Sequence, residues 1–119
     1  MEYQYIDLIR NRKQVRIIKI ISGGQTGVDR ASLDAAIELD IKHGGFCPKG
    51  RCSEDGIIPS KYVMSETETD DYSERTLKNV QLSDGTLIFH KGEIMGGTAL
   101  TKEFCFLEKK AVLTVNILD

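Results

Sequence analysis

Ser22-Gly23-Gly24-Gln25-Thr26-Gly27, followed at once by Val28, Asp29 and Arg30, is the stretch whose residue types and order first suggest chemistry. Three glycines let a backbone turn sharply and approach a ligand with no β-carbon in the way. Free N–H groups at the start of a helix offer donors and partial positive charge, so the chemistry such a turn supports is anion binding. It is neither a Walker A loop, since no Gly-Lys-Ser/Thr follows, nor the Gly-x-Gly-x-x-Gly dinucleotide fingerprint. The same residues also suit a strand-to-helix turn that needs glycine for geometry alone. Gly96-Gly97-Thr98 is a second copy of the device. Two such turns side by side would surround a phosphorylated ligand with backbone donors.

Cations stand where a parallel sheet would bring them to the same rim. Lys49 and Arg51 end the apolar stretch from Ile41 to Cys47, and Arg75 opens a later helical pattern. We expect Gly23 to Thr26, Lys49, Arg51, Arg75 and Gly96 to Thr98 to line one anion pocket. Groups for covalent chemistry are sparse: no Ser-His or Cys-His pair reads as an activated nucleophile. Lys49 and Arg51 would favour the thiolate of Cys47. His43, Cys47 and Cys52 match no zinc spacing, so no protein-bound metal site is expected.

The elements that must position these groups are legible in outline. Ile17 to Ile21 is a β-branched run of the kind that forms a buried parallel strand. A helix follows, with Thr26 and Asp29 in a capping pattern and Val28, Ala31, Ala35 and Leu39 on one stripe. Ile41 to Cys47 is a second strand and Tyr62 to Met64 a third, with an irregular region between them. Ser65 to Asp71 is an acidic loop. Ser73 is the expected N-cap of a helix through Leu82, with Leu77 and Val80 inward. Thr86 to Phe89 is a fourth strand. Thr98 is the expected N-cap of a last helix carrying Leu100, Phe104 and Leu107, with Ala111 continuing the stripe, and Val112 to Leu118 is a fifth strand. Strands alternating with helices predict an α/β, Rossmann-like three-layer fold with a five-stranded parallel sheet in the order 3-2-1-4-5. Residues 1 to 15, with Tyr5, Ile6, Leu8 and Ile9 before a basic cluster, are expected to form an N-terminal arm on a domain from 16 to 119.

The 119 residues suffice for one such domain, and 40% hydrophobic with 29% charged content is that of an ordinary globular protein. A net charge of −2 disfavours an extended nucleic-acid interface. No apolar run reaches membrane-spanning length, and the first residues do not read as a secretory signal. A cytoplasmic setting is expected, in which the odd count of cysteines, Cys47, Cys52 and Cys105, stays as free thiols.

The chain resembles the putative molybdenum cofactor carrier proteins, a Rossmann-like group related to the lonely-guy (lysine-decarboxylase-like) phosphoribohydrolases. The resemblance rests on Ser22 to Arg30, on His43 to Arg51, on Glu54-Asp55-Gly56, on Arg75-Thr76 with Asn79-Val80, on Ser83 to Thr86, and on Gly96-Gly97-Thr98. It implies a cytoplasmic homo-oligomer, dimer or tetramer, that holds molybdopterin or another phosphorylated pterin or nucleotide-like ligand without catalysis. It further implies ligand contacts from Gly23, Gly24, Gln25, Thr26, Gly27, Asp29, Arg30, Lys49, Arg51, Arg75, Thr76, Asn79, Ser83, Asp84, Gly96, Gly97, Thr98 and Thr101. No nucleic-acid or membrane partner is implied.

Phe46 stands where that family would have tryptophan. The sequence ends at Asp119 without the further helix and Asn-Val-Ala-Gly-Pro-Arg-like segment usual after the last strand, so contacts from that segment are expected to be missing. The related enzymes suggest an alternative: Glu103 follows Gly96 at the separation of their glutamate, and with Arg75 on phosphate it would stabilise an oxocarbenium-like transition state in a nucleoside monophosphate phosphoribohydrolase. Ala99-Leu100 replaces the second glycine-threonine pair of their motif. A nucleotide sensor would use the same pocket without turnover.

Overall fold

The computed structural model describes residues 16–117, so the expected arm over residues 1 to 15 lies outside the described residues. The chain is a mixed α/β fold. Its elements run β1 (Lys19–Ile21), α1 (Val28–Glu38), β2 (Lys42–Gly44), β3 (Phe46–Cys47), β4 (Cys52–Ser53), β5 (Gly56–Ile57), β6 (Ser65–Glu66), α2 (Tyr72–Leu82), β7 (Gly85–His90), α3 (Gly96–Leu107) and β8 (Ala111–Asn116).

Among the described residues the strands form four two-stranded ladders rather than one five-stranded sheet. β1 pairs with β2, β3 with β6, and β7 with β8, all parallel, while β4 and β5 form an antiparallel hairpin. The expected strand from Ile41 to Cys47 is split at Gly45. That residue has φ of 134°, and a β-carbon built on it would lie 2.1 Å from the carbonyl oxygen of Ser22. The chain kinks where only glycine allows two backbones so close. The expected third strand shifts from residues 62–64 to Ser65–Glu66, inside what the acidic composition suggested was loop.

Helix starts differ from expectation by one to three residues. Gly27, not Thr26, precedes α1, with no side-chain cap. Asp71, not Ser73, caps α2 by accepting from the Ser73 N–H at 2.9 Å. α3 begins at Gly96, with Met95 before it and Thr98 already in the first turn. The buried stripe of α1 is Leu33 and Ala36, whereas Val28 and Leu39 are exposed. Its apolar residues run nearly all round the helix, and the β1–β2 pair decides which face is covered.

The core under α1 is Leu33, Cys47, Ile58 and Tyr62, with Met64 packed against it. Val80 of α2, Ile88 of β7 and Cys105 of α3 are also buried. Leu77 is only half-buried and Leu107 is exposed, so the inward faces of α2 and α3 lie beside those the apolar spacing suggested. No helix among the described residues is long and apolar enough to cross a membrane.

Candidate functional site

The turn after β1 is held from both ends. The Ser22 N–H donates to the Gly44 carbonyl at 2.9 Å, and the Ser22 hydroxyl donates to the Asp29 carbonyl at 2.9 Å. The same hydroxyl oxygen accepts from the Gly24 N–H at 3.2 Å. Gly24 (φ 75°) and Gly27 (φ 85°) supply left-handed backbone at two places in the turn. At Gly24 a side chain would also crowd its neighbours, since a β-carbon would lie 3.1 Å from Ile58 Cδ1 and 3.2 Å from Met64 Cε.

The β4–β5 hairpin, closed by the two-residue turn Glu54-Asp55 with Gly56 (φ 111°) starting the return strand, packs on the glycine turn through polar contacts. Gln25 Nε2 donates to the Cys52 carbonyl at 3.0 Å, and Thr26 donates to Glu54 at 3.3 Å. Arg30 pairs with Asp55 at 2.7 Å and donates to the Gly24 carbonyl at 3.1 Å and to Ser53 Oγ at 3.2 Å. Ser53 and Asp55 shape the site although neither was among the expected ligand contacts; Asp55 entered the sequence analysis only within the Glu54-Asp55-Gly56 motif, and nothing in the sequence singled out Ser53.

Arg75 reaches the turn from the first part of α2. Its guanidinium lies directly over Gly23: a β-carbon there would come within 2.1 Å of Arg75 Nη1. Nη1 is 3.6 Å from Asp29 Oδ2, and Oδ2 also accepts the Gln25 N–H at 3.2 Å. Asp29 thus reaches back one residue beyond where a capping box on Thr26 would place it. Burial raises the Asp29 carboxyl above its ordinary range, against the opposing pull of Arg75, the Gln25 N–H and Arg30. Arg75 Nε is buried with no hydrogen-bond partner among the described residues, and so is Arg30 Nε.

The structure therefore brings together Gly23, Gly24, Gln25, Asp29, Arg30 and Arg75. Other expected ligand residues have structural partners. Arg51 donates to the carbonyls of Ile58, Pro59 and Tyr62, at 2.9 Å for the last two, and so ties down the segment after β5. Asn79 accepts the Phe46 N–H at 2.7 Å and donates to the Phe46 carbonyl at 2.9 Å, in effect extending the edge of β3. Thr76 donates to the Tyr72 carbonyl, Ser83 to Val80 and Thr101 to Gly97, all local helix bonds. Lys49 and Asp84 are exposed.

The second glycine turn opens onto different ground. A β-carbon on Gly96 or Gly97 would meet nothing within 4 Å. Beside it Ile94, Ala99, Lys102, Glu103 and Phe106 line an open depression of about 480 Å³, which shares no residue with the cluster at Gly23. Glu103 is exposed there.

Cys47 departs from expectation. Burial is the largest influence on its thiol and pushes it up, outweighing the nearby Arg51. The histidines are engaged locally: His43 Nε2 accepts the Val63 N–H at 3.0 Å, and His90 Nδ1 lies 2.7 Å from the Gly92 carbonyl and therefore carries the hydrogen. Among the described residues no group of three or more His, Cys, Asp or Glu side chains could hold a metal ion.

Residues 20–119 match the model of the circularly permutated YpsA SLOG family. The chain is similar to the crystal structure of a putative molybdenum carrier protein from Syntrophus aciditrophicus SB, with 53% sequence identity and a TM-score of 0.84. The match covers 85% of this chain and 64% of that one, so the chain spans less than two thirds of that relative's length. No curated protein matches it.

Proposed function

The chain belongs to the circularly permutated YpsA SLOG family, and from that membership we propose that it is a carrier that holds a phosphorylated pterin or nucleotide-like ligand at the Ser22–Gly27 turn without turning it over. The observation that carries this reading is the placement of Arg75. Its guanidinium sits over the bare backbone of Gly23 with Nε buried and unpartnered, next to the N-terminal end of α1. Backbone N–H groups and a planar cation on one side of a turn suit phosphate oxygens.

The solved relative's description as a putative molybdenum carrier supports a molybdenum-containing pterin as cargo. The donors near Gly23 suit the phosphate of such a cargo rather than its metal. We assign the phosphate to Gly23, Gly24, Gln25 and Arg75, with Arg30 buttressing the turn. The remaining expected contacts that carry no side-chain bond among the described residues, Gly27, Lys49, Asp84, Gly96, Gly97 and Thr98, would serve the rest of the ligand. The reading places the protein in the cytoplasm as a homo-oligomer.

Native mass spectrometry of the full chain purified from cells tests the proposal. Wild type is expected to retain a phosphorylated heteroaromatic, and an Arg75→Met variant of equal thermal stability is expected to lose it. Equal retention by that variant would overturn the assignment. Release of free base from nucleoside monophosphates, abolished by Glu103→Gln, would replace the carrier with a phosphoribohydrolase.

A further inference from the structure

We propose that the Asp29 carboxylate is a resident anion, seated on the donors that the ligand's phosphate must take, so that ligand binding displaces it. The inference rests on the site assigned above. One oxygen, Asp29 Oδ2, accepts the Gln25 N–H at 3.2 Å and faces Arg75 Nη1 at 3.6 Å. It also lies 3.0 Å from the point where a β-carbon of Gly23 would stand. The space beside Gly23 is thus filled by the Arg75 guanidinium and bordered by a negative oxygen.

A second anion brought to the same two donors meets like-charge repulsion at hydrogen-bonding distance. It binds only if the carboxylate swings away or takes up a proton. No other described carboxylate is engaged with Arg75 or the Gln25 N–H. The charged groups facing Asp29 are Arg75 from α2 and Arg30 from its own helix, and Arg30 is itself committed to Asp55. Burial favours the protonated carboxyl, against the opposing pull of Arg75, the Gln25 N–H and Arg30, so proton uptake is one route by which the carboxylate gives up these donors. Anion affinity is therefore linked to Asp29 protonation and rises as pH falls through its raised pKa.

Inorganic sulfate is the suitable probe, because its own charge stays constant from pH 5 to 8. Calorimetric titration of the full chain over that range and below it is expected to show sulfate binding strengthening as pH falls towards the titration of Asp29. Asp29→Asn is expected to bind about tenfold more tightly than wild type at the upper end, the scale of one charge-assisted hydrogen bond, and to show a flatter profile. His43 and His90 are present in both proteins, so the difference between profiles isolates Asp29. Asp29→Asn binding no more tightly than wild type would overturn the inference. If wild-type binding is nonetheless abolished by Arg75→Met, the anion site itself stands. Sulfate binding absent from every variant at every pH would overturn both readings. A measurement on wild type covers failure of Asp29→Asn to fold: carboxyl NMR should show the Asp29 pKa rising when sulfate is added, and an unmoved pKa would refute the linkage.

Discussion

Arg75 and Gly23 fit together like a lid on a bare plate: a β-carbon on Gly23 would lie 2.1 Å from Arg75 Nη1 and 2.8 Å from its Cζ. The obstructing atoms are the far end of a flexible side chain, so Gly23→Ala can be accommodated by moving Arg75 aside. Stability is expected to change by less than about 1 kcal/mol, while sulfate or phosphorylated-ligand affinity falls as far as in Arg75→Met. Comparing denaturant midpoints with titrations of the two variants checks this, and unchanged affinity in Gly23→Ala would count against the site.

Gly45 presents the opposite case. Its β-carbon would meet the carbonyl oxygen of Ser22 at 2.1 Å and the Ser22 nitrogen at 2.9 Å, and its φ of 134° is strained for any L side chain. Backbone cannot step aside as a side chain can. Gly45→Ala is expected to cost about 3 kcal/mol or more, the scale of backbone strain added to overpacking, and chemical denaturation will show whether it does.

Arg51 separates a structural cation from a ligand-binding one. Its guanidinium serves three carbonyls of the segment from Ile58 to Tyr62. Arg51→Met should lose about 1 to 2 kcal/mol, at the low end for charged hydrogen bonds because the side chain is only half-buried. Arg51→Lys should recover little, as one ammonium cannot reproduce the fork. Sulfate affinity measured below the unfolding transition is expected to stay within about twofold of wild type, and a loss like that of Arg75→Met would return Arg51 to the pocket.

The Cys47 thiol is held up by burial, so its neutral form is favoured more in the folded than in the unfolded chain. The stability this adds is complete below the unfolded value near 9.0 and is lost as pH rises through the higher folded one. Native protein at neutral pH is expected to leave Cys47 unmodified by iodoacetamide, with the half-buried Cys52 modified first and Cys47 only on unfolding. Peptide mapping of the alkylated protein decides it. Rapid labelling of native Cys47 would contradict its burial.

The local grammar of the chain was readable from its residues alone. The glycines of the turn, the Ser83-Asp84-Gly85 break and the pairing of glycine turns with following helices all depend on φ/ψ preferences a few residues wide, whereas the run before Ser22 was expected to be a buried strand and instead leaves Ile17 and Ile18 exposed, with only Lys19–Ile21 extended into a ladder. Helix caps slipped by one to three places, Thr26 giving way to Gly27, Ser73 to Asp71 and Thr98 to Met95, because short-range preferences leave several nearby positions able to start a helix. What sequence could not assign were the partners of long polar side chains. Lys49, Arg51 and Arg75 look alike along the chain, yet one is exposed, one holds carbonyls and one covers a glycine. Asn79 reads as a candidate ligand contact until β3 lies alongside it. Tertiary structure made these distinctions because each depends on which buried carbonyl or carboxylate lies within about 3 Å of a charge, a distance set by residues remote along the chain.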